Sequence, residues 1–292
     1  MTMLKFVINK TLTKSAVAIF AIIIAVSCTE DIDIKLDSTY DRLVVYGELT
    51  TDTMAHSIMI TRSMDYYNPE APQGVSGALV SISWNSNVIE LLESDTLPGR
   101  YETPVDFYGV PNNEYTLTIE NVDIDDDGIM EIYKAKSKLN SVNVIDSIRL
   151  RNWPQFEQMS IRLWAQDSIS KDFYLIRGKK NGVLITDSLG EWGITDDAIF
   201  NGNNTGGIDV VFLDQNNQSE KLEVGDTVML EVSSITEEFF TFLSQANSAT
   251  GTQTPLFNST PGNVRGNISN GAIGFFAAHS ISRASLVVAP MK

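Results

Sequence analysis

Polar and apolar residues alternate along short segments in much of the chain. In residues 115–119, Tyr, Leu and Ile are separated by two threonines, and in residues 80–84, Val, Ile and Trp are separated by two serines. A period of two is typical of a β-strand with one buried face. Turn-forming residues separate these segments at short intervals, as in a sandwich or a barrel. The pattern therefore predicts a mainly β protein.

One segment has a helical pattern instead. After a Ser-Ile-Thr-Glu capping box that begins at Ser234, apolar side chains recur at helical spacing at Phe239, Phe242, Leu243 and Ala246. This spacing predicts a short amphipathic helix over residues 235–247, whose apolar face covers a sheet. The polar residues 249–263 are predicted to form a long loop.

The N-terminus has the zones of an export signal. Three lysines among the first 14 residues precede an apolar run over residues 16–26, and Ser27 and Cys28 follow. The run is shorter than the roughly 20 apolar residues of a membrane span, so we interpret residues 1–27 as a signal peptide. Residues 25–28, Ala-Val-Ser-Cys, resemble the lipobox of bacterial lipoproteins. We expect lipid on Cys28, the only cysteine; the alternative is an ordinary cleavage site beside a free thiol.

The length that remains suggests two domains. About 265 residues are long for one sandwich and suit two domains of roughly 100 to 150 residues each. We place an acidic tether at residues 28–39, an N-terminal β-sandwich domain at 40–140 and a C-terminal β-rich domain with the helix at 141–292. The predicted fold is thus two β-sandwich-like domains.

The chain is strongly acidic, with 37 acidic and 21 basic residues and a formal charge of −16 at pH 7. Nucleic acids and anionic lipid surfaces are bound through Lys and Arg, so neither is expected as a nonspecific partner. Three acids follow Cys28 within five residues. This cluster resembles the signal that directs Bacteroidota lipoproteins to the cell surface, and the alternative is a solvated tether.

One acidic segment has the start of a calcium-binding motif. Asp123, Asp125 and Asp127, followed by a glycine, match the first positions of an EF-hand loop, in which alternating acids point their oxygens at one centre. Glu131 stands at the ninth position, but a lysine occupies the twelfth, where a bidentate glutamate belongs. Two interpretations stay open: an acidic hairpin turn, which we favour, and a weak structural calcium site formed by these four acids.

The sequence contains none of the common catalytic motifs. Its two histidines, His56 and His279, are far apart and neither has a metal-ligand spacing, and we interpret His279 as structural. There is no GxSxG nucleophile elbow and no Walker A phosphate-binding loop. We therefore predict a non-enzymatic protein without a cofactor. A glycan or peptide hydrolase that uses unidentified carboxylates, and an adhesin or structural surface subunit, remain alternatives.

Two kinds of surface feature could line a binding site. Trp153 and Trp192 could stack on a sugar ring, but packing within the protein is the favoured interpretation. Residues 196–202 and 266–271 are rich in Asn, Asp and Gly and are interpreted as structural turns.

Several short motifs follow one another in an order that resembles a known protein family. They include Val-Tyr-Gly-Glu at 45–48, Gly-Arg-Tyr at 99–101, Tyr-Lys-Ala at 133–135, Phe-Asn-Gly at 200–202 and the segment 263–276. Together they resemble a Bacteroidota lipoprotein family catalogued as domain of unknown function 4249. The resemblance implies an outer-membrane lipoprotein with an immunoglobulin-like or transthyretin-like first domain, often encoded beside TonB-dependent receptors. We expect an accessory or ligand-binding partner of such a receptor, facing the cell exterior.

Overall fold

The computed structural model describes residues 41–64, 71–250 and 264–290. The predicted signal peptide, Cys28, the tether and most of the predicted loop 249–263 lie outside these residues. Within them the fold is mainly β, as predicted, with fifteen strands, one α-helix and two 3-10 helices. The elements, numbered along the chain, are β1 (Leu43–Thr50), β2 (Ser57–Arg62), β3 (Leu79–Trp84), β4 (Asn87–Glu93), β5 (Arg100–Glu102), β6 (Glu114–Val122), β7 (Glu131–Lys138), β8 (Ile145–Trp153), β9 (Gln158–Ala165), β10 (Phe173–Lys180), β11 (Val183–Leu184), β12 (Gly193–Asp196), β13 (Ile208–Asp214), β14 (Thr227–Ile235), α1 (Glu237–Thr250) and β15 (Ile273–Val287).

Twelve strands form one main sheet in the order β11-β10-β14-β15-β1-β2-β5-β4-β3-β6-β7, with β12 also paired to β10. Strand β15 holds this sheet together. Its first half pairs in parallel with β1, from Val44 with Ile273 to Thr50 with His279. Its second half pairs antiparallel with β14. The other three strands form a small sheet in the order β13-β9-β8.

The sheets enclose two hydrophobic cores in a sandwich-like arrangement. The first core lies among β1, β2, β3, β6 and β7, and the second among β8, β9, β10, β13 and β14. The boundary predicted near residues 138–141 falls between them. However, β15 contributes Phe276 and Ala278 to the first core and packs Ala284 and Leu286 against the second. Residues Tyr40–Lys292 accordingly form one compact unit, because the last strand of the second half completes the sheet of the first.

Helix α1 covers one face of the main sheet, as its apolar stripe predicted. Phe239 and Leu243 are buried beside Phe275 of β15, and burial of each such side chain contributes about 2 kcal/mol. The helix begins later than predicted because Ser234 still pairs within β14. Thr236 therefore caps the helix, and its hydroxyl accepts a hydrogen bond from the Phe239 N–H at 3.2 Å. No helix within the described residues is both long and apolar enough to cross a membrane.

A glycine makes the parallel pairing possible. Gly274 lies opposite Val45 in the register of β1 and β15 and has a φ of +106°. A Cβ at this position would lie 2.0 Å from the carbonyl oxygen of Val45. Any side chain would therefore push the two strands apart in addition to straining the backbone.

Substitution of Gly274 should weaken the pairing of β1 with β15. We expect Gly274→Ala to lower the free energy of unfolding by at least about 2 kcal/mol, measured by urea denaturation, because it adds backbone strain and a clash with β1. Gly271 is the matched control, since its φ is +73° but an added Cβ would meet nothing within 4 Å. Gly271→Ala should cost only about 1 kcal/mol, from strain alone. Equal losses in the two variants would contradict the close-approach explanation.

Candidate functional site

A groove of about 370 Å³, lined in part by charged side chains, lies on the main sheet. Its walls come from β1, β2 and β5 of the first half of the chain and from β10, β14 and β15 of the second half. Tyr46 and Glu48 of β1 are in register with Phe275 and Ala277 of β15, both of which pack with α1. The groove thus occupies the same face of the sheet as the helix.

Charged residues reach this face because they replace apolar residues at alternate positions of strands. Arg177 and Lys179 follow Phe173 and Leu175 on one face of β10, and Glu231 interrupts the apolar run of β14. Strand register then aligns opposite charges. Arg177 lies opposite Glu231, which lies opposite Arg283 of β15. Such cross-strand pairs of opposite charge stabilise a sheet.

Glu48 is the centre of one hydrogen-bond network. Its carboxylate accepts the Tyr46 hydroxyl at 2.6 Å, Nη2 of Arg177 at 2.7 Å and Nε2 of His279 at 3.0 Å. Burial alone would raise the pKa of this carboxyl, but the His279 hydrogen bond and the Arg177 charge hold its pKa well below the usual range. Since β14 and β15 separate β10 from β1, the Arg177–Glu48 ion pair joins the two halves of the chain.

Arg283 is the centre of a second network. It donates to both carboxylate oxygens of Asp52, at 2.6 and 2.5 Å, and to Glu231 at 2.5 Å. Lys179 also donates to Glu231, at 3.0 Å. The Arg283 hydrogen bond lowers the pKa of Asp52, and for Glu231 the bonds from Arg283 and Lys179 outweigh the upward effect of burial on its pKa. Asp52 and Glu231 are thereby held ionised.

Both histidines lie next to the groove. His279 is fully buried, as expected of a structural residue, and its ring stacks on Phe239 of α1. A carboxylate only accepts, so Nε2 of His279 donates to Glu48, and its Nδ1 is buried without a hydrogen-bond partner among the described residues. His56 lines the groove with its Nε2 3.1 Å from the Asp52 carbonyl oxygen, and burial lowers the pKa of its ring.

The acidic loop predicted as a turn or calcium site joins β6 to β7. Asp123, Asp125 and Asp127 can each place one carboxylate oxygen within 4.8 Å of the others. The Asp123 carboxylate accepts two backbone N–H groups of the turn, at 3.1 and 2.9 Å. Glu131 does not join this group, because its carboxylate accepts the hydroxyl of Tyr133. Three of the four proposed ligands are thus together, in a geometry that also suits an acidic turn.

A second acidic cluster was not predicted from the sequence. Asp167, Asp172 and Asp197 can also place one oxygen each within 4.8 Å of one another. Asp167 accepts the Tyr174 hydroxyl at 2.5 Å, and Asp197 accepts the backbone N–H of Asp172 at 3.1 Å. Burial raises the pKa of Asp167. Of the predicted turn 196–202, Asp196 ends β12 and residues 197–202, which include Asp197, form the turn.

The two tryptophans considered as sugar platforms pack against arginines. The guanidinium of Arg177 lies 4.8 Å from the ring centroid of Trp192, and that of Arg151 lies 3.8 Å from the ring centroid of Trp153. The indole N–H groups donate to the Thr186 carbonyl oxygen and the Ser160 hydroxyl. These cation–π contacts occupy a face of each ring.

These observations define a mainly β protein with sandwich-like sheets and a charged groove on its main sheet. The chain belongs to the family described as "Domain of unknown function (DUF4249)", whose model matches residues 29–285. No curated protein matches the sequence. Among solved structures, the chain is similar to a two fibronectin type-III domain segment from chicken tenascin, with 11% identity, 85% of this chain and 99% of that chain covered, and a TM-score of 0.21.

The Glu48 network should contribute to stability in a pH-dependent way. We expect Glu48→Gln to lower the free energy of unfolding by about 3 kcal/mol at pH 7, because Arg177 loses its partner in a largely buried pair. The folded pKa of Glu48 lies below the unfolded value of about 4.3, so its contribution is complete above that pH and is lost as pH falls toward the folded pKa. In urea denaturation, the difference between wild type and Glu48→Gln should therefore shrink below about pH 4.

Glu90→Gln is the control for this experiment, because Glu90 is exposed on β4. We expect almost no change in unfolding free energy for this variant at any pH. A negligible loss at pH 7 for Glu48→Gln, or a loss that grows as pH falls from 5 to 3, would contradict the assigned role of the network.

The calcium hypothesis has a separate test. A structural ion in the acidic loop would raise the melting temperature in excess calcium relative to chelator, since a ligand that binds only the folded state stabilises it. Asp125→Asn should then abolish the shift, while Asp106→Asn, which changes an exposed aspartate elsewhere, should retain it. Identical melting temperatures in calcium and chelator for wild type would leave the acidic turn as the interpretation of this loop.

Proposed function

We propose that this protein is a non-enzymatic, ligand-binding accessory of a TonB-dependent nutrient receptor, anchored in a Bacteroidota outer membrane by lipid on Cys28 and exposed to the cell exterior. The charged groove is the observation that carries the binding role. Its volume of about 370 Å³ falls in the range of small-molecule sites. Its walls are held in place by ion pairs, so the groove is formed before a ligand arrives.

The location rests on the N-terminal sequence. Basic, apolar and small residues precede Cys28, and acidic residues follow it. Acyl chains on Cys28 would hold the protein at the membrane at about 0.8 kcal/mol for each buried methylene. The family match begins at residue 29, directly after this cysteine, which agrees with a mature protein that starts at Cys28.

The charge states in the groove favour binding over hydrolysis. Glycoside hydrolysis needs one carboxyl group that stays protonated to act as the acid. Glu48, Asp52 and Glu231 each accept a hydrogen bond from an arginine, and the pKa of each is lowered. All three are therefore carboxylates at neutral pH, a state suited to holding the arginines in position.

Affinity purification from native membranes tests the proposal. Tagged wild-type protein should fractionate with outer membranes and recover a TonB-dependent receptor or a bound small molecule, identified by mass spectrometry. Cys28→Ser is the matched control for anchoring, because it removes only the sulfur to which lipid would attach. This variant should appear in the soluble fraction.

Two outcomes would contradict the proposal. Retention of Cys28→Ser in the membrane would contradict the prediction that lipid on Cys28 anchors the protein. If the wild-type protein recovered neither a receptor nor a ligand, the proposed accessory role would be contradicted.

A further inference from the structure

Basic and acidic groups are nearly equal in number in the groove, although the chain as a whole is acidic. Four basic side chains line it against three acidic ones. The basic residues are Arg100, Arg177, Lys179 and Arg283, and the acidic residues are Glu48, Asp52 and Glu231. Glu102 lies 2.8 Å from Arg100 and balances the fourth basic side chain, so the ligand preference of the groove depends on which of its hydrogen-bonding groups remain unused.

The acceptors of the groove are already used to a large extent. Both carboxylate oxygens of Asp52 accept bonds from Arg283. Both oxygens of Glu48 are also occupied, one by Tyr46 and the other by Arg177 and His279. An additional cation would find few free oxygen atoms on these two acids.

The donors are used to a smaller extent. Within the described residues, Arg177 donates one hydrogen bond, through Nη2 to Glu48, and Lys179 donates one, to Glu231. A guanidinium has five N–H groups and an ammonium has three. Both side chains therefore keep N–H groups that an incoming acceptor can bind.

Arg100 also lies on the groove face. It lies opposite Met59 of β2, which lies opposite Tyr46 of β1, so the three side chains share the groove face. Nη2 of Arg100 is 2.8 Å from Glu102, but its Nε is buried and has no hydrogen-bond partner among the described residues. Because Nε has no exposed surface, a ligand in the groove would bond to the Nη1 and Nη2 groups of Arg100.

We propose that the groove binds a small organic anion through its carboxylate group, with Arg100, Arg177 and Lys179 as the groups that recognise it. The planar fork of a guanidinium matches the two oxygens of a carboxylate. Tyr46 and Met59, which also line the groove, supply apolar surface for the rest of the molecule. The inference rests on the proposed ligand-binding function and adds the chemical class of the ligand, which a sugar acid and an acidic amino-acid derivative share.

Isothermal titration of the purified protein tests this class directly. The probes are galacturonate, its neutral counterpart galactose, N-acetylglutamate and inorganic phosphate. We expect at least one carboxylate to bind at least tenfold more tightly than galactose and phosphate. Preference for galacturonate would identify a glycan source, and preference for N-acetylglutamate a peptide source.

Variants locate the binding in the groove. Arg100→Gln and Lys179→Gln should each weaken carboxylate binding about tenfold or more. Arg100→Lys, which keeps the charge but loses the planar fork, should recover only part of the affinity. Arg42→Gln removes an exposed arginine outside the groove and should leave affinity unchanged. Unchanged melting temperatures would show that each variant folds.

Several results would overturn the inference. They are binding of galactose at least as tight as that of the tighter-binding carboxylate, tighter binding of phosphate than of both carboxylates, binding of neither carboxylate, and full affinity in both folded Arg100→Gln and Lys179→Gln. The first three would leave the proposed function standing if native purification still recovered a receptor or an uncharged ligand. A failed purification together with carboxylate binding would instead contradict the receptor role alone.

Discussion

The double pairing of β15 is the constraint on which the rest of the structure depends. One strand is hydrogen-bonded in parallel to β1 and antiparallel to β14, so two cores that would otherwise have separate sheets share one. The register sets which side chains meet. It places Ala277 beside Glu48 and Arg283 beside Glu231, and it thereby builds a groove from residues more than a hundred positions apart in sequence. Gly274 permits the approach of backbones on which this register depends.

The ion pairs of the groove are difficult to explain by stability alone. Removing charges from water is costly, and a well-packed apolar cluster of the same size is often at least as stable. Here the charges are arranged as networks in which each acid has an arginine partner, and the network of Glu48 joins strands that are not neighbours. Such an arrangement fixes the positions of the remaining N–H groups. This preorganisation is what the proposed ligand-binding function would use.

Local features of the sequence were sufficient to predict the strands and the helix. They were insufficient to predict which strands pair with each other. Alternation at 80–84 and 115–119 falls within β3 and β6, and the spacing from Phe239 to Ala246 lies within α1. The helix start was wrong because a capping-box spacing at Ser234 cannot show that β14 continues through that residue. The parallel pairing of β1 with β15 has no local signal, since a period of two indicates a face but not a neighbour.

The sequence did not predict the groove, because the groove also depends on which strands are neighbours. Two charged residues stand where the strand pattern calls for apolar ones: Glu231 within the apolar run of β14, and Arg177 after Leu175 in β10. Charged residues at such positions indicate a buried polar site. That signal does not identify Glu48 or Arg283 as the partners. The acidic loop was predicted from local spacing, and the carboxylates of its three aspartates do lie close together. The fourth predicted ligand, Glu131, instead accepts a hydrogen bond from Tyr133.

The parallel pairing also determines when the chain can fold. Contacts between residues near 45 and residues near 275 give the protein a high contact order, and loop-closure entropy makes such topologies slow to form. The edge of β1 that faces β15 has no partner until this final strand has been synthesised. If the chain is exported from its N-terminus, as the proposed location requires, the main sheet can be completed only after its last strand has crossed the membrane.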